Sequence, residues 1–273
     1  VTFDLGPALL FCPADRPERF GKALDRADAV ILDLEDAVAA GSKSEAREAL
    51  VAHPLDPARV IVRLNGFTTA DFEADLAVVL RAGYTRVMLP KASKPGELEA
   101  LRGFEVIALC ETAAGVLAAP ALAAVDHVVA LMWGGEDLVA SLGGTSSRRD
   151  DGTYRDGTYR DVVRFARSSV LLAGAAHDTA VIDSVHLDIT DEAGLSAEAR
   201  DAVASGFAAT ACIHPSQVAV IRAAYRPTQA QVDRARAVLA ASVGERGVFT
   251  FEGRMVDEPL LRHARTIIAR ASG

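Results

Sequence analysis

The sequence predicts an α/β protein: a (β/α)8 TIM barrel followed by a small C-terminal lid module. Three observations point to it. Eight short apolar runs alternate with helix-like sequence, each run ends abruptly at a polar tip, and 273 residues is a usual length for one such barrel. An open doubly wound sheet is the rival architecture. It is disfavoured because no G-x-G-x-x-G and no P-loop follows the first run.

The runs are Ala8–Cys12, Ala29–Leu34, Val60–Leu64, Arg86–Leu89, Val106–Cys110, His127–Trp133, Ala180–Leu187 and Ala208–Ile213. Apolar runs this short read as strands buried on both faces, as parallel strands are. Pro17 suits the first position of a helix over Glu18–Ala27, and Pro95 opens another. Ser42 with Glu45, and Thr68 with Asp71, have the spacing of capping boxes. Residues 146–160 read as an exposed loop carrying Asp-Gly-Thr-Tyr-Arg twice, at 151–155 and 156–160, a repeat too short for a solenoid unit. Gln217–Tyr225 completes the barrel and Arg226-Pro227 breaks the pattern, which gives a barrel over 1–225 and a lid over 226–273. In the lid, Thr228 and Gln231 cap a helix to about Ala241, 247–256 form a hairpin, and Glu258–Ala271 is helical. So small a module has little core of its own.

Composition narrows the function. With 50% hydrophobic and 24% charged residues the chain is globular, and no apolar stretch reaches the ~18 residues of a membrane span. The N-terminal residues lack a basic region followed by an apolar one, so a cytoplasmic protein without membrane partners is expected. A net charge of −8 argues against nucleic acid as a partner. Cys12, Cys110 and Cys212, each in an apolar run, are expected to be reduced and buried.

In a parallel barrel all strand C-termini share one face, so the polar tips converge. That face gathers Asp33, Glu35, Asp36, Arg63, Asn65, Lys91, Glu111, Glu136, Asp137, Asp183, Asp188 and His214. So many carboxylates repel one another unless a cation is present. Mg²⁺, which takes one or two carboxylates and fills its octahedron with water and substrate, is the economical choice. Zinc is disfavoured because the histidines do not cluster. Gly134 and Gly135, without Cβ atoms, allow a ligand to approach the backbone beside Glu136 and Asp137.

Leu32-Asp-Leu-Glu-Asp-Ala-Val38 with Lys43 and Arg47, Val62-Arg-Leu-Asn65, Met88-Leu-Pro-Lys91, Glu111-Thr112, Gly134-Gly-Glu-Asp137, Cys212-Ile-His-Pro-Ser-Gln217 and Gly253-Arg-Met-Val-Asp257 resemble, in order and spacing, the citrate lyase β-subunit-like proteins. These are grouped with malyl-CoA and citramalyl-CoA lyases and are similar to malate synthases. The resemblance implies a Mg²⁺-dependent enzyme that makes or cleaves the C–C bond of short 3-hydroxyacyl-CoA thioesters (malyl-, citramalyl-, hydroxymethylglutaryl- or citryl-CoA), with associated thioester hydrolysis. CoA enters as part of the substrate and a short keto acid is the other reactant.

Carried over, the resemblance makes Glu111 and Asp137 the metal ligands and Arg63 the stabiliser of the thioester enolate. Glu35 and Asp36 hold metal-bound water. Gly135, Glu136 and Asp137 receive the acid's carboxylate, and Arg16, Arg19 and Pro215 line the CoA site. Asp257 becomes a catalytic acid or base in a lid that closes over a neighbouring subunit, so a homo-oligomer, a trimer or dimer of trimers, is expected. A metal-dependent 2-oxo-acid aldolase on a related barrel, and a non-catalytic CoA-ester-binding subunit, are the alternatives. A carrier-protein partner is left open.

Overall fold

The structure is a computed structural model and describes residues 3–150, 152, 157–245 and 247–272. Each apolar run forms a strand. They are β1 (Ala8–Pro13), β2 (Ala29–Asp33), β3 (Val60–Arg63), β4 (Arg86–Leu89), β5 (Glu105–Cys110), β6 (Val128–Trp133), and, after a short antiparallel pair β7 (Arg148–Arg149) and β8 (Thr158–Tyr159), β9 (Ala180–Asp183) and β10 (Ala209–Cys212). The eight long strands are parallel and close on themselves in the order β1-β2-β3-β4-β5-β6-β9-β10. Leu10 pairs with Val30 on one side and Cys212 on the other, which seals the barrel. Inward positions recur with period two, as at Ala29 and Ile31, Ile107 and Leu109, Ala130 and Met132, or Ala209 and Ala211, and together they form the buried centre.

The helices are α1 (Phe20–Arg26), α2 (Lys43–Ala52), α3 (Phe72–Ala82), α4 (Pro95–Glu99), α5 (Ala113–Ala123), α6 (Gly135–Ser141), α7 (Asp161–Ala176), α8 (Glu192–Ser205) and α9 (Pro215–Tyr225). Local details differ from expectation in five places. Pro17 opens a 3-10 turn, Pro17–Arg19, before α1, so the first helix is broken. Ser42 stands at the N-cap of α2 but its side chain makes no capping bond. Thr68 and Asp71 form no capping box; α3 starts at Phe72, and Thr69 turns the chain instead by bonding the Gly66 carbonyl at 2.8 Å. β9 stops at Asp183 and does not reach Leu187, because Asp183 Oδ1 accepts the next backbone N–H, from Ser184 (3.1 Å), and turns the chain out of the ladder.

Residues 146–160 are the fifth. They are not simply an exposed loop. Arg148 pairs with Tyr159 and Arg149 with Thr158, and Ser147 and Arg148 are buried. These residues belong to the second copy of the repeat and its partner strand. The first copy, 151–155, lies outside the described residues apart from Gly152.

The chain divides into compact units at Val1–Ile221 and Arg222–Gly273, inside α9 rather than after Tyr225. The second unit holds α10 (Gln229–Ala241), the hairpin β11 (Phe249–Phe251) and β12 (Arg254–Val256), and α11 (Glu258–Ser272). The Thr228 capping box forms, with Gln231 Oε1 accepting the Thr228 N–H at 2.8 Å. Val232, Ala235, Val256, Leu261 and Ala264 give this unit a small core. Among the described residues no helix is long and apolar enough to cross a membrane. All three cysteines are buried, and none is in a disulfide.

Candidate active site

The site lies at the C-terminal ends of β2 to β6, and its charged groups are positioned from the strands outward. Asp33 and Arg63 are the last residues of β2 and β3 and are partners in the ladder. Arg63 donates from Nε to Asp33 Oδ1 (2.7 Å) and from NH2 to Oδ2 (2.6 Å), and its NH1 lies 3.1 Å from Glu35 Oε2. Its guanidinium sits 5.0 Å from the Phe11 ring centre. Burial works against the Arg63 charge, but the Asp33 pair outweighs it and holds the pKa above the usual arginine range. Asp33 also accepts the Glu35 N–H (2.9 Å) and the Ala37 N–H (3.1 Å), so one carboxylate shapes the whole β2–α2 loop. Lys43 pins that loop from behind, donating at 2.7 Å to the Leu34 carbonyl, the Glu35 carbonyl and Asn65 Oδ1. Arg47 pairs with Asp71 and Asp75. Both therefore support structure.

Lys91 follows β4 in the left-handed region, at φ 53°, a conformation costly for a residue with a Cβ. Its backbone N–H donates to Glu111 Oε1 (3.1 Å). Its ammonium lies 2.5 Å from Glu35, 3.6 Å from Asp36, 3.6 Å from Asp137 and 3.9 Å from Glu111. One cation thus faces four carboxylates. Glu111, just past β5, is 2% exposed. Burial first, then the charges of Asp137 and Glu35, push its acid up to about 8, against the pull of Lys91 and Arg63. Burial likewise raises Glu35, despite Arg63 and Lys91. Gly134 leaves room for Glu111: a Cβ there would lie 3.0 Å from Glu111 Cβ and Oε2 and would crowd the carboxylate. Asp137 and Glu136 occupy the first turn of α6, and Glu136 accepts a hydrogen bond from the Ser147 hydroxyl.

A cavity of about 240 Å³ opens here, with Asp33, Arg63, Glu111, Gly135, Glu136 and Asp137 on its polar side and Leu109, Met132, Val185, Leu187 and Ile213 on its apolar side. Arg148 and Tyr159 complete the lining. Tyr159 meets Trp133 edge-on at 5.4 Å, and Arg148 stacks over Tyr159 at 3.9 Å while pairing with Glu198. Trp133 Nε1 donates to Asp183 (2.7 Å), which Arg167 holds from the other side (2.8 Å).

From sequence, Asp33 is one more carboxylate of the barrel mouth with no partner named, and Trp133, Arg148 and Tyr159 carry no role. For Tyr159 the tandem repeat was the available signal, and it does not reveal that this tyrosine meets Trp133 at the end of β6.

Of the expected site residues, Arg63, Glu111, Gly135, Glu136 and Asp137 come together around the cavity. Glu35 stands beside them, with Asp36, Lys43, Asn65 and Lys91. Arg16, Arg19 and Pro215 do not line the cavity: Arg16 lies 3.8 Å from Asp15, Arg19 lies 3.7 Å from Glu18, and Pro215 begins α9. His214 shapes a turn, its Nδ1 2.8 Å from the Ser216 hydroxyl. Asp257 belongs to the second unit, where its Oδ1 accepts the Leu260 N–H at 3.4 Å at the start of α11.

Among the described residues no group of three or more His, Cys, Asp or Glu is arranged to hold a metal unaided. An ion here would rest on Glu111 and Asp137, with water and ligand oxygens completing its sphere. The pair suits a hard divalent cation. Its donors are all carboxylate oxygens, and the raised Glu111 acid is the mark of a place short of positive charge.

Known proteins resemble this chain over nearly its whole length. The family model for HpcH/HpaI aldolase/citrate lyase matches residues 8–215. The citrate lyase subunit beta-like protein of Mycobacterium tuberculosis is 55% identical over 266 residues, 97% of this chain and 96% of that one. The mitochondrial citramalyl-CoA lyase of Rattus norvegicus is 31% identical over 300 residues, 97% of this chain and 86% of that one. The crystal structure of protein CitE from Mycobacterium tuberculosis in complex with magnesium, acetoacetate and coenzyme A superposes with a TM-score of 0.94 at 55% identity, covering 98% of each chain.

Proposed function

The chain belongs to the HpcH/HpaI aldolase/citrate lyase family, and from that premise we propose that it is a Mg²⁺-dependent lyase or synthase acting on the C–C bond of a short 3-hydroxyacyl-CoA thioester. The observation that carries the reading is the pairing, around one cavity, of the Glu111–Asp137 carboxylates with the Arg63 guanidinium. Such a cavity has an oxygen-donor side for a metal and, apart from it, a fixed cation for a developing oxyanion. The solved complex of CitE with magnesium, acetoacetate and coenzyme A supports the choice of metal and of ligand class.

Mg²⁺ bound at Glu111 and Asp137 would polarise the keto-acid oxygen or the 3-hydroxyl oxygen. The chain's own residues do the rest. In the cleavage direction the 3-hydroxyl gives its proton to the water held beside Glu35 and Asp36, its O–H bond pair becomes the new C=O, and the C–C bond pair passes to the acyl carbon next to the thioester, leaving a keto acid and a thioester enolate. Arg63 stabilises the enolate oxygen. Asp33 fixes two of its N–H donors, so the guanidinium is oriented before substrate arrives and loses little freedom on binding. The backbone N–H groups of Gly135, Glu136 and Asp137, at the start of α6, receive the keto acid's carboxylate. Glu35 and Asp36 position water next to the ion. Asp257 supplies the proton that quenches the enolate carbon in cleavage and removes it in synthesis.

At about 240 Å³ the cavity suits the small acid and the thioester end. The rest of CoA lies outside it, toward Arg16, Arg19 and Pro215. The test is a Mg²⁺-supplemented screen of malyl-, citramalyl-, hydroxymethylglutaryl- and citryl-CoA, with released keto acid and free CoA measured separately. Keto acid appearing with one of them, and not with the corresponding free acid, supports the reading. Turnover of free hydroxy acids without CoA would make the protein a 2-oxo-acid aldolase instead.

A further inference from the structure

Helix α8 carries a carboxylate where its pattern calls for an apolar residue. Leu195, Ala199 and Ala202 form its buried stripe, and Glu198, three residues after Leu195 and four before Ala202, falls on the same face. A charge set there is costly unless it is paired. Glu198 is paired twice. Its two oxygens accept from the Arg148 guanidinium at 2.5 and 3.1 Å, and its Oε2 lies 2.9 Å from Nδ1 of the buried His186. His186 is held in turn: its carbonyl accepts from Gln217 Nε2 at 2.8 Å, and its Nε2 faces Asp191 at 3.4 Å.

What this ion pair holds is a wall of the cavity. β7 and β8 share two residue pairs, too few for a ribbon to stand alone. Tyr159, at the end of β8, lines the candidate active-site cavity and also a second cavity, of about 330 Å³, bounded by Arg164 and Arg167 of α7 and by Glu198 and Asp201 of α8. A ring with open space on both sides is not fixed by close packing alone. The Arg148 guanidinium, 3.9 Å from the ring centre, fixes it by a cation–π contact, and Glu198 fixes the guanidinium. We infer that Glu198, which is not among the residues lining the active-site cavity, is a positioning residue: through Arg148 it clamps Tyr159 as the wall of that cavity. The consequence for turnover rests on the function proposed above; the clamp itself does not. A wall touches the substrate equally in its ground and transition states, so loosening it raises KM and leaves kcat. Loss of folded protein does the reverse, lowering the apparent kcat and leaving KM.

The chain supplies its own reporter. Trp133 is its single tryptophan, fully buried, and meets Tyr159 edge-on, so quenching of its fluorescence by acrylamide reads whether the wall is in place without any turnover. In Glu198→Gln, which keeps the shape and removes the charge, the quenching slope is expected to rise at least about twofold. With citramalyl-CoA and Mg²⁺, KM is expected to rise at least about fivefold while kcat stays within about twofold. Arg148→Ala/Glu198→Ala leaves neither charge of the pair behind unpaired, which keeps the test open should the single variant fold poorly. It is expected to unfold cooperatively with the same raised quenching and KM. Wild-type quenching in a folded single or double variant would overturn the clamp. So would a loss confined to kcat, which would make the pair a matter of folding alone. A wild type that turns over no thioester would remove the proposed function, and the Trp133 signal would still decide the clamp.

Discussion

Asp33 and Arg63 meet as ladder partners at the ends of β2 and β3 and form a two-point ion pair, 2.7 and 2.6 Å long. The pair sets the direction of the guanidinium before any ligand is present. Arg63→Lys keeps a charge but loses the planar fork, so turnover is expected to fall roughly 10²-fold or more, comparable to losing an oxyanion donor. Asp33→Asn keeps the shape and removes the countercharge from a buried cation. It is expected to cost about 3 kcal/mol of stability and to lower turnover together with it. Steady-state kinetics and thermal unfolding of both variants check this. A fully active Arg63→Lys enzyme would show that only a positive field is needed.

Lys91 occupies the centre of the carboxylate cluster, within 3.9 Å of Glu35, Asp36, Glu111 and Asp137. Its ammonium therefore competes with a divalent ion for the same charges. At ~5 Å, even with water-like screening, a unit charge repels a divalent one by roughly 1.7 kcal/mol, a little more than a tenfold step in affinity. Lys91→Met is expected to bind Mg²⁺ at least about tenfold more tightly while the metal-free protein melts at lower temperature. Calorimetry that finds weaker Mg²⁺ binding would make Lys91 a support of the ion rather than its rival.

The pH dependence of the metal-free protein follows from Glu111. Its folded acid, at about 8, lies above the ordinary carboxylate value, so the folded state holds a proton that the unfolded state has lost. The stability from this group is complete below the unfolded value of ~4.5 and is lost as pH rises toward about 8. The melting temperature is expected to decline from pH 5.5 to 8.5 without metal, and less steeply with Mg²⁺ or in Glu111→Gln. A slope identical in all three samples would remove Glu111 as its source.

The barrel was legible because eight buried strands leave eight short, mainly apolar runs, and inward positions recur with period two because of the pleat. The site was legible where a charged residue ends a strand, as at Arg63, or directly follows one, as at Glu111. What escaped was set by partners far away in sequence. Asp33 is indistinguishable from its acidic neighbours until Arg63, 30 residues on, closes on it. Tyr159 acquires its role only by meeting Trp133. Thr68–Asp71 had the spacing of a cap, but Asp75 is already committed to Arg47 and to Asn65, whose N–H it accepts at 2.8 Å, and the helix starts where those bonds place it.

On the proposed reading, Asp257 separates carbon chemistry from hydrolysis. Quenching an enolate needs a proton delivered to carbon; attack of water on a thioester does not, although it still needs polarisation by the metal and Arg63. Asp257→Asn is expected to suppress keto-acid release or synthesis much more than CoA release by hydrolysis. Glu111→Ala or Arg63→Ala is expected to suppress both. Equal loss of both activities in Asp257→Asn would end this division of labour.

The metal pair is tested most directly by Mg²⁺ titration calorimetry on the wild type, Glu111→Ala and Asp137→Ala, each with its unfolding curve. An ion that keeps several waters has few fixed ligands to lose, so Mg²⁺ binding is expected to collapse in both variants while unfolding stays cooperative. Wild-type affinity in either variant would contradict the assignment of Glu111 and Asp137 as the pair on which the ion rests.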